Sequence, residues 1–435
     1  MQKGYMALNK KLKGDGEVLK DSFLAGAGKA KIVFSQDDFP IKQFTGIHDN
    51  LYIRVLLIDS NQRFAFVSID LTSLTKDRID FYKSLIHQLT SIDEGNIWVS
   101  VTHTFSAPHI PLESQKDDEE KIISMMLFKT SAALREAINQ ALLSMKPADI
   151  GFSYSSCPLN INRNIPTRLG WWLGRNDDGY SNHDVRTVTL KQENNEIISI
   201  LYNFDVQASV MDNVSTKCGE LLISSDLVGK ASSDIENTFG KNSVAIFLPG
   251  SAGDQAPIFK GSNWKITKNN RLVCSSIHEE AYSLVDQLGV KLSQSVQRAV
   301  FKTEKFADNC EIKINHYSVY LPEQRVKYST KALRPSKKYQ FEKTGNSLFV
   351  PIDILYLNNL AMIGTTPELN SSFGQKLREK FNNQNTFVCT LVNGAMKYLP
   401  EDVDFIRRTY TAMNTRLGQG SDRLFLDQIV KALQS

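Results

Sequence analysis

The chain alternates short apolar runs with longer amphipathic stretches. The runs at 52–59 and 63–71 are rich in β-branched residues and are separated by three polar residues, which predicts a hairpin of central strands. The runs at 185–191 and 197–206 predict a second hairpin. Stretches with helical periodicity are found at about 77–90, 119–145, 225–239 and 276–300. This succession of strands and helices predicts an α/β fold.

Polar stretches suggest how the chain is organised. Residues 1–22 are polar and lysine-rich, which predicts an N-terminal arm, and residues 23–435 contain no repeat or clear linker, which predicts one large mixed-sheet α/β module. Residues 157–183, rich in Asn, Gly, Arg and Trp, are expected to form a long functional loop, and residues 327–343 a lysine-rich connector. Further strands are predicted at about 27–35, 96–104, 310–320, 348–365 and 387–392.

Candidate chemistry is concentrated where three predicted strands run into loops, at 102–109 (THTFSAPH), 250–257 (GSAGDQAP) and 364–374 (GTTPELNSSFG). Strand ends are where α/β proteins place reactive groups, so we expect the three loops to converge on one pocket. His103 is a candidate zinc ligand or general base, although a lone histidine is more often structural. Glu368 is a candidate ligand, or alternatively a carboxylate at a helix N-terminus.

Charge and composition exclude several classes of function. The 435 residues include 51 basic and 47 acidic ones, and basic patches such as Lys337–Lys338 are short, so no nucleic-acid partner is predicted. No apolar run is long enough for a transmembrane segment, and the N-terminus lacks the apolar core of a signal peptide, which predicts a cytoplasmic protein. The five cysteines show no CxxC spacing, which argues against a disulfide framework and a thiolate zinc site.

Nine segments between about residues 24 and 410 resemble, in order, motifs of the catalytic domain of the neutral (non-lysosomal) ceramidase family. They read AGAGKAKIVFS, GIHDNLYIRVLLID, VSVTHTFSAP, NINRN, NFDVQASVM, ISSDLVG, FLPGSAGDQAP, TPELNSSFGQKLR and VNGAMKYLPEDVDFIRRTY. The resemblance implies that family's α/β domain, and the C-terminal immunoglobulin-like domain of larger ceramidases is expected to be absent. It also implies a zinc amidase that hydrolyses the N-acyl bond of ceramide.

The resemblance implies only part of the family's zinc site. His103 matches one histidine ligand and Glu368 the glutamate ligand, whereas the second histidine falls on Gln207 and the tyrosine on Ala395. We therefore take His103, Glu368 and, tentatively, Gln207 as the metal residues and expect zinc to bind weakly. Replacement ligands would have to come from rearranged loops; the candidates are His109, His183 and Asp205.

Other positions of the resemblance suggest a polar pocket. His103, Arg163, Asp254, Tyr398 and Tyr410 are the predicted catalytic residues. Arg163 would orient the substrate, and backbone amides between Gly250 and Asp254 would stabilise an oxyanion. Two family residues are replaced: Phe105 stands where a catalytic histidine is usual, and Ala256 where many members carry a serine.

Two classes of function follow. The first is a divergent ceramidase-like amidohydrolase or acyl-transfer enzyme acting on an amide-bonded small molecule, a lipid-like amide or a peptide. The second is a catalytically silent relative that binds a ligand or a partner enzyme, its pocket filled by aromatic residues such as Phe105, Trp171 and Trp172 unless these are ordinary core residues. A biosynthetic enzyme with zinc-independent chemistry is a third reading. Convergence of His103, Arg163, Glu368 and Asp254 on one cavity would favour an enzyme.

Overall fold

The computed structural model describes residues 23–110, 117–327, 333–381 and 385–434, so the predicted arm at 1–22 lies outside the described residues. The strands are β1 (Leu24–Lys31), β2 (Phe44–Ile47), β3 (Tyr52–Asp59), β4 (Arg63–Ile69), β5 (Ile97–Val101), β6 (Lys146–Pro147), β7 (Asp149–Ser156), β8 (Asn160–Thr167), β9 (Gly170–Asn176), β10 (Asp184–Lys191), β11 (Ile197–Phe204), β12 (Leu221–Ile223), β13 (Val244–Pro249), β14 (Gln255–Pro257), β15 (Ser262–Ile266), β16 (Leu272–Ser276), β17 (Ile312–Lys327), β18 (Gln340–Leu357), β19 (Leu360–Thr365), β20 (Glu368–Leu369), β21 (Thr386–Cys389) and β22 (Tyr398–Leu399). The α-helices are α1 (Lys76–Thr90), α2 (Asp117–Leu143), α3 (Asp226–Phe239), α4 (Glu280–Phe301), α5 (Ser371–Lys380), α6 (Asp402–Arg407), α7 (Tyr410–Met413) and α8 (Ser421–Gln434).

Two central sheets contain the predicted hairpins. The first has the order β5-β4-β3-β1-β6, in which β3 and β4 form the antiparallel hairpin expected at 52–71. The second has the order β13-β11-β10-β7, and its β10–β11 pair is the second predicted hairpin. The antiparallel pairing confirms both hairpins, and all but the end residues of β10 are buried, which is typical of strands in the interior of layered folds.

Alternating side chains of β3 reach two different cores. Val55 packs in the core formed with α1 and α2, which includes Leu134 of α2. The next residue, Leu56, packs in the core between the two sheets, together with Ile246 of β13. Helices α3 and α4 cover the outer face of the second sheet, so the order of layers is helices, sheet, sheet, helices. Successive side chains of a strand point to opposite faces, so a strand that is buried on both faces contributes neighbouring residues to two different cores.

A third sheet, β17-β18-β19-β21, extends the core between the sheets. Met362 of β19 lies in that core, while its neighbour Ile363 packs on the opposite side against Phe373 of α5 and Phe425 of α8. Strand β1 approaches α2 closely, since a Cβ on Gly28 would lie 2.1 Å from the carbonyl oxygen of Ala137. Only glycine fits at that contact.

Two expectations from the sequence were wrong. The segment 157–183 is not a continuous loop, because it contains β8 and β9, which form a small sheet in the order β14-β8-β9. Its polarity misled the prediction, since β8 buries hydrogen-bonded asparagines and an arginine beside a single buried apolar residue, Ile161. The connector at 327–343 is also shorter than expected, because β18 already begins at Gln340.

None of the described helices combines the length and apolarity needed to cross a membrane.

Candidate functional site

His103 lies just after β5 and presents one ring nitrogen to a buried polar site. Its Nδ1 atom is 2.5 Å from the carbonyl oxygen of Thr72, and because a carbonyl only accepts hydrogen bonds, Nδ1 carries the proton in the neutral ring. The lone pair is therefore on Nε2, which is buried and has no hydrogen-bond partner among the described residues. The backbone of His103 is left-handed, with φ of 60°, an uncommon conformation for a residue other than glycine that often accompanies functional sites.

Glu368 faces His103 from a different part of the fold. Its Oε2 atom lies 3.3 Å from Nε2 of His103, close enough for an ion pair when the histidine is protonated. Glu368 belongs to β20, which runs parallel to β22, and helix α5 begins only at Ser371. The alternative reading of Glu368 as a residue of the first helical turn is therefore wrong.

The carboxylate of Glu368 remains ionised despite its burial. Burial alone would raise its pKa, but the charge and hydrogen bond of protonated His103, the charge of Arg163 and a hydrogen bond from Gln207 outweigh this and lower the pKa below its usual range. Glu368 thus supplies a fixed negative charge beside Nε2 of His103.

Arg163 of β8 lies on the other side of this carboxylate. It is 8% exposed and donates hydrogen bonds through Nη1 to Oε1 of Gln207 (2.8 Å), and through Nη2 to the carbonyl oxygen of Gly253 (2.6 Å) and to Oη of Tyr398 (3.1 Å). Burial alone would lower the pKa of Arg163. The nearby Tyr398 and Glu368 outweigh burial and raise the pKa above its usual value, so the guanidinium stays a cation. Its Nε–H is buried without an acceptor among the described residues.

Gln207 connects the two charged groups. Its Nε2 donates to Oε2 of Glu368 at 2.9 Å, while its Oε1 accepts from Arg163. The opposite amide orientation would bring its nitrogen against the guanidinium donor and its oxygen against the carboxylate, so the neighbours fix the orientation. Arg163, Gln207, Glu368 and His103, hereafter the His103 cluster, form one buried chain of contacts.

Asp254 lies behind this cluster as a buried support. Its carboxylate accepts hydrogen bonds from Nδ2 of Asn162 (2.7 Å), Nε2 of Gln255 (2.9 Å) and the backbone amide of Ser371 (2.9 Å). Burial nevertheless raises the pKa of Asp254 to about 7. The backbone amide of Arg163 donates to the carbonyl of Asp254 (2.8 Å). Asp254 therefore joins β8, the glycine loop and the start of α5.

Four of the amides in the predicted oxyanion segment, Gly250 to Gly253, are used inside the protein. The amides of Gly250, Ala252 and Gly253 donate to backbone carbonyl groups, and that of Ser251 donates to Oδ1 of Asp205 at 2.8 Å. These four N–H groups are already used inside the protein, so they cannot also bind a substrate oxygen. What this loop contributes to the cluster is the carbonyl of Gly253, which fixes Arg163.

Aromatic residues enclose the His103 cluster. The Phe105 ring lies 4.8 Å from the His103 ring in an edge-to-face arrangement, and the rings of Tyr398 and Tyr410 each lie 5.6 Å from Cζ of Arg163. Burial raises the pKa of both tyrosines, so their hydroxyl groups stay protonated at neutral pH. Trp172 packs at 5.6 Å from Tyr410 in a core cluster with Tyr339 and Met413. Trp172 is thus a core residue, while the half-buried Trp171 contacts Arg407.

The described residues supply two zinc-ligand side chains at this site, His103 and Glu368. A catalytic zinc usually has three protein ligands, and no group of three or more His, Cys, Asp or Glu side chains in the described ranges could hold a metal ion. The oxygen of Gln207 is taken by Arg163, and Ala395 has no donor atom. This donor set does not fit a three-ligand zinc site.

Two of the three proposed replacement ligands are held by other partners, and the third, His109, whose pKa partial burial lowers, is near enough to His103 for the charge of His103 to lower that pKa further. Asp205 pairs with Arg378 at 2.9 Å and also accepts from Ser371, Nδ1 of His183 is 2.7 Å from Oδ1 of Asn160, and His109 is exposed. The buried ion pair of Asp205 and the contact of His183 hold those two side chains in the scaffold. None of the three joins the chain of contacts that defines the His103 cluster.

Most of the predicted site residues do come together. The three strand-to-loop junctions meet, since His103 faces Glu368, and Gly253 donates its amide to the carbonyl of Leu369 at 2.8 Å. The sequence interpretation missed Thr72, Asn162 and Ser371. Thr72 acts through a backbone carbonyl and has no side-chain signal, whereas Asn162 lies within the NINRN motif and could have been found there.

No protein-family model matches the chain, and no curated protein matches it significantly in sequence. Solved structures do match. The neutral ceramidase from Pseudomonas aeruginosa superimposes with a TM-score of 0.71 at 15% identity, over 96% of this chain and 75% of that one. A structure described as ceramidase complexed with C2 gives a TM-score of 0.72 at 14% identity, over 95% and 76%. The chain therefore has the neutral ceramidase fold, as the sequence motifs predicted.

Proposed function

We propose that the chain is a ceramidase-like amidohydrolase or acyl-transfer enzyme in which His103 is the general base. The observation that carries the proposal is the position of Nε2 of His103, whose ring is oriented by the Thr72 carbonyl and which lies 3.3 Å from the carboxylate of Glu368. A general base needs a free lone pair and a neighbour that stabilises its protonated form. The ceramidase fold supports an amide as the bond that is attacked.

In the proposed reaction, Nε2 of His103 takes a proton from water, or from the hydroxyl or amine of an acceptor, as that nucleophile attacks the amide carbonyl. The negative charge of Glu368 stabilises the imidazolium that forms. The imidazolium then returns the proton to the leaving amine as the carbon–nitrogen bond breaks. A hydrolysis or an acyl transfer results, depending on which nucleophile enters.

Arg163 is assigned to the carbonyl oxygen of the substrate. Its Nε–H has no acceptor among the described residues, while its other contacts fix the guanidinium in place. A fixed cationic donor stabilises the oxyanion better than a mobile one because it does not reorganise during the reaction. No step uses zinc, since the described ligands do not fit a three-ligand site.

The substrate class that we propose is an amide-bonded small molecule, lipid-like amide or peptide. The test is turnover of a panel of N-acyl amides and short peptides, followed by mass spectrometry, with wild-type protein, His103→Ala and Glu368→Gln. His316→Ala is the matched control, because His316 is an exposed histidine that pairs with Asp353. Wild-type turnover that both site variants lose, and that the control keeps, supports the proposal. A wild-type protein that converts no panel member contradicts it.

A second candidate function is binding without catalysis. The observation in its favour is the Gln207 bridge, which already satisfies Glu368 and Arg163 through hydrogen bonds within the protein. A silent relative would bind a panel member and gain thermal stability while leaving it unconverted. Thermal unfolding with each compound, run beside the turnover assay, separates the two functions.

A further inference from the structure

A strongly basic groove lies on the surface near β8 and β9. Its volume is about 880 Å³, within the range of small-molecule sites. Five basic residues line it, and its described lining includes no acidic residue. The five are Arg168, Lys327, Arg334, Lys337 and Lys338. The sequence showed only the short Lys337–Lys338 patch, and folding brings the other basic side chains beside it.

The positive charge of the groove is only partly balanced. Lys327 pairs with Glu342. Arg168 donates to neutral oxygens, namely Oδ1 of Asn270 at 2.9 Å and the carbonyl of Thr267. Lys337 and Lys338 are exposed and form no ion pair within the described part of the chain. The positive charges of Lys337 and Lys338 repel one another, and a bound anion would remove that repulsion.

The groove is held in shape by the protein around it. The buried hydroxyl of Tyr339 accepts a hydrogen bond from the amide of Arg334 at 3.2 Å and donates one to its carbonyl at 3.1 Å, which closes the turn that carries the two lysines. Gly170 lets this turn approach β9, since a Cβ there would lie 2.8 Å from the carbonyl carbon of Ser336, and its φ is 141°. A pre-formed site loses less entropy when a ligand binds.

We propose that this groove binds a small polyanion that carries phosphate or sulfate groups. A groove lined by five basic residues suits an anion of more than one charge, and guanidinium and ammonium groups are the usual partners of phosphate oxygens. The groove adds neutral hydrogen-bonding side chains to these charges: Asn270, Ser336 and Gln340. This binding requires no amide chemistry and is independent of the proposed reaction.

The test is isothermal titration of the full chain with inorganic pyrophosphate at low ionic strength, and again at about 1 M salt, where charges are screened beyond about 3 Å. The test variants are Lys337→Gln/Lys338→Gln and Arg168→Gln. The matched control is Lys241→Gln/Lys302→Gln, which removes two exposed lysines elsewhere on the surface. Vesicles that contain an anionic phospholipid form a separate arm.

We expect saturable pyrophosphate binding that weakens about tenfold in the double lysine variant and in high salt, and that the control variant retains. Absence of binding at low ionic strength would overturn the proposal, as would equal weakening in the control variant. Binding to anionic vesicles without binding to pyrophosphate would also overturn it, in favour of a membrane surface.

Discussion

Nε2 of His103 lies 3.3 Å from Oε2 of Glu368, and Gln207 links the same carboxylate to Arg163. The first contact joins the only two zinc-ligand side chains that the described residues provide at this site. The second connects the carboxylate of Glu368 to the guanidinium of Arg163 by two hydrogen bonds of the Gln207 amide. The negative charge of Glu368 is thus linked through the Gln207 amide to the positive charge of Arg163.

Replacing Gln207 by histidine is expected to create a zinc site. Nε2 of Gln207 is 2.9 Å from the carboxylate of Glu368, so the Gln207→His side chain would give His103 and Glu368 a third ligand. Elemental mass spectrometry after dialysis against zinc should find about one zinc per chain in this variant. Gln207→Ala, which disrupts the same bridge without adding a ligand, is the control.

The same measurement on the wild-type protein is informative. Stoichiometric zinc that is lost in His103→Ala and Glu368→Ala would contradict the description of the site as short of ligands. Equal zinc content in Gln207→His and Gln207→Ala would contradict the third-ligand argument.

Removing Arg163 should destabilise the protein strongly. Arg163→Ala leaves Gln207, the Gly253 carbonyl and the Tyr398 hydroxyl without their donor, and Glu368 without a nearby cation. Breaking a buried charged network in this way costs about 3–5 kcal/mol in the free energy of unfolding. Urea unfolding measures it, with Arg175→Ala as the control, because Arg175 pairs with Asp177 at the exposed surface and should matter little. Equal stabilities of the two variants would show that the network is unimportant.

Asp254 should make the stability of the protein depend on pH. Its pKa is about 7 in the folded protein, because of burial, and near 4 in the unfolded chain. Between about pH 4 and 7 the folded state therefore binds more protons, and this group lowers the free energy of unfolding as the pH rises, by at most about 1.4 kcal/mol per pH unit.

The variant Asp254→Asn has no group that titrates at this position. The free energy of unfolding of the variant minus that of the wild type should therefore rise from pH 5 to pH 8, whatever its absolute size. Asp178→Asn, which removes an exposed carboxylate, is the control. A difference that stays constant over this range would contradict the raised pKa.

The sequence predicts the apolar part of the fold better than the polar part. The hairpins β3–β4 and β10–β11 were predicted because their apolar runs are dense and their turns short. Strand β8 was missed because it buries Asn162, Arg163 and Asn164, whose partners lie far away in sequence. Hydrophobic periodicity cannot detect a strand that satisfies its buried side chains with hydrogen bonds.

The candidate site, too, could be predicted only in part from the sequence. His103, Glu368 and Gln207 were selected from motifs, and the structure brings both His103 and Gln207 within ion-pair or hydrogen-bond distance of Glu368. The amides of the glycine loop were expected to face a substrate, but those of Gly250 to Gly253 are used by backbone acceptors and Asp205. A sequence shows which groups are present, whereas their partners depend on tertiary contacts.

The most direct test of His103 as a metal-independent base is kcat/KM on the amide that the panel identifies, measured before and after chelator treatment. We expect wild-type activity to survive chelation, His103→Ala to lose at least about a hundredfold, and His316→Ala to keep its activity. Full activity in His103→Ala would contradict the account, and so would wild-type activity that chelation abolishes and added zinc restores.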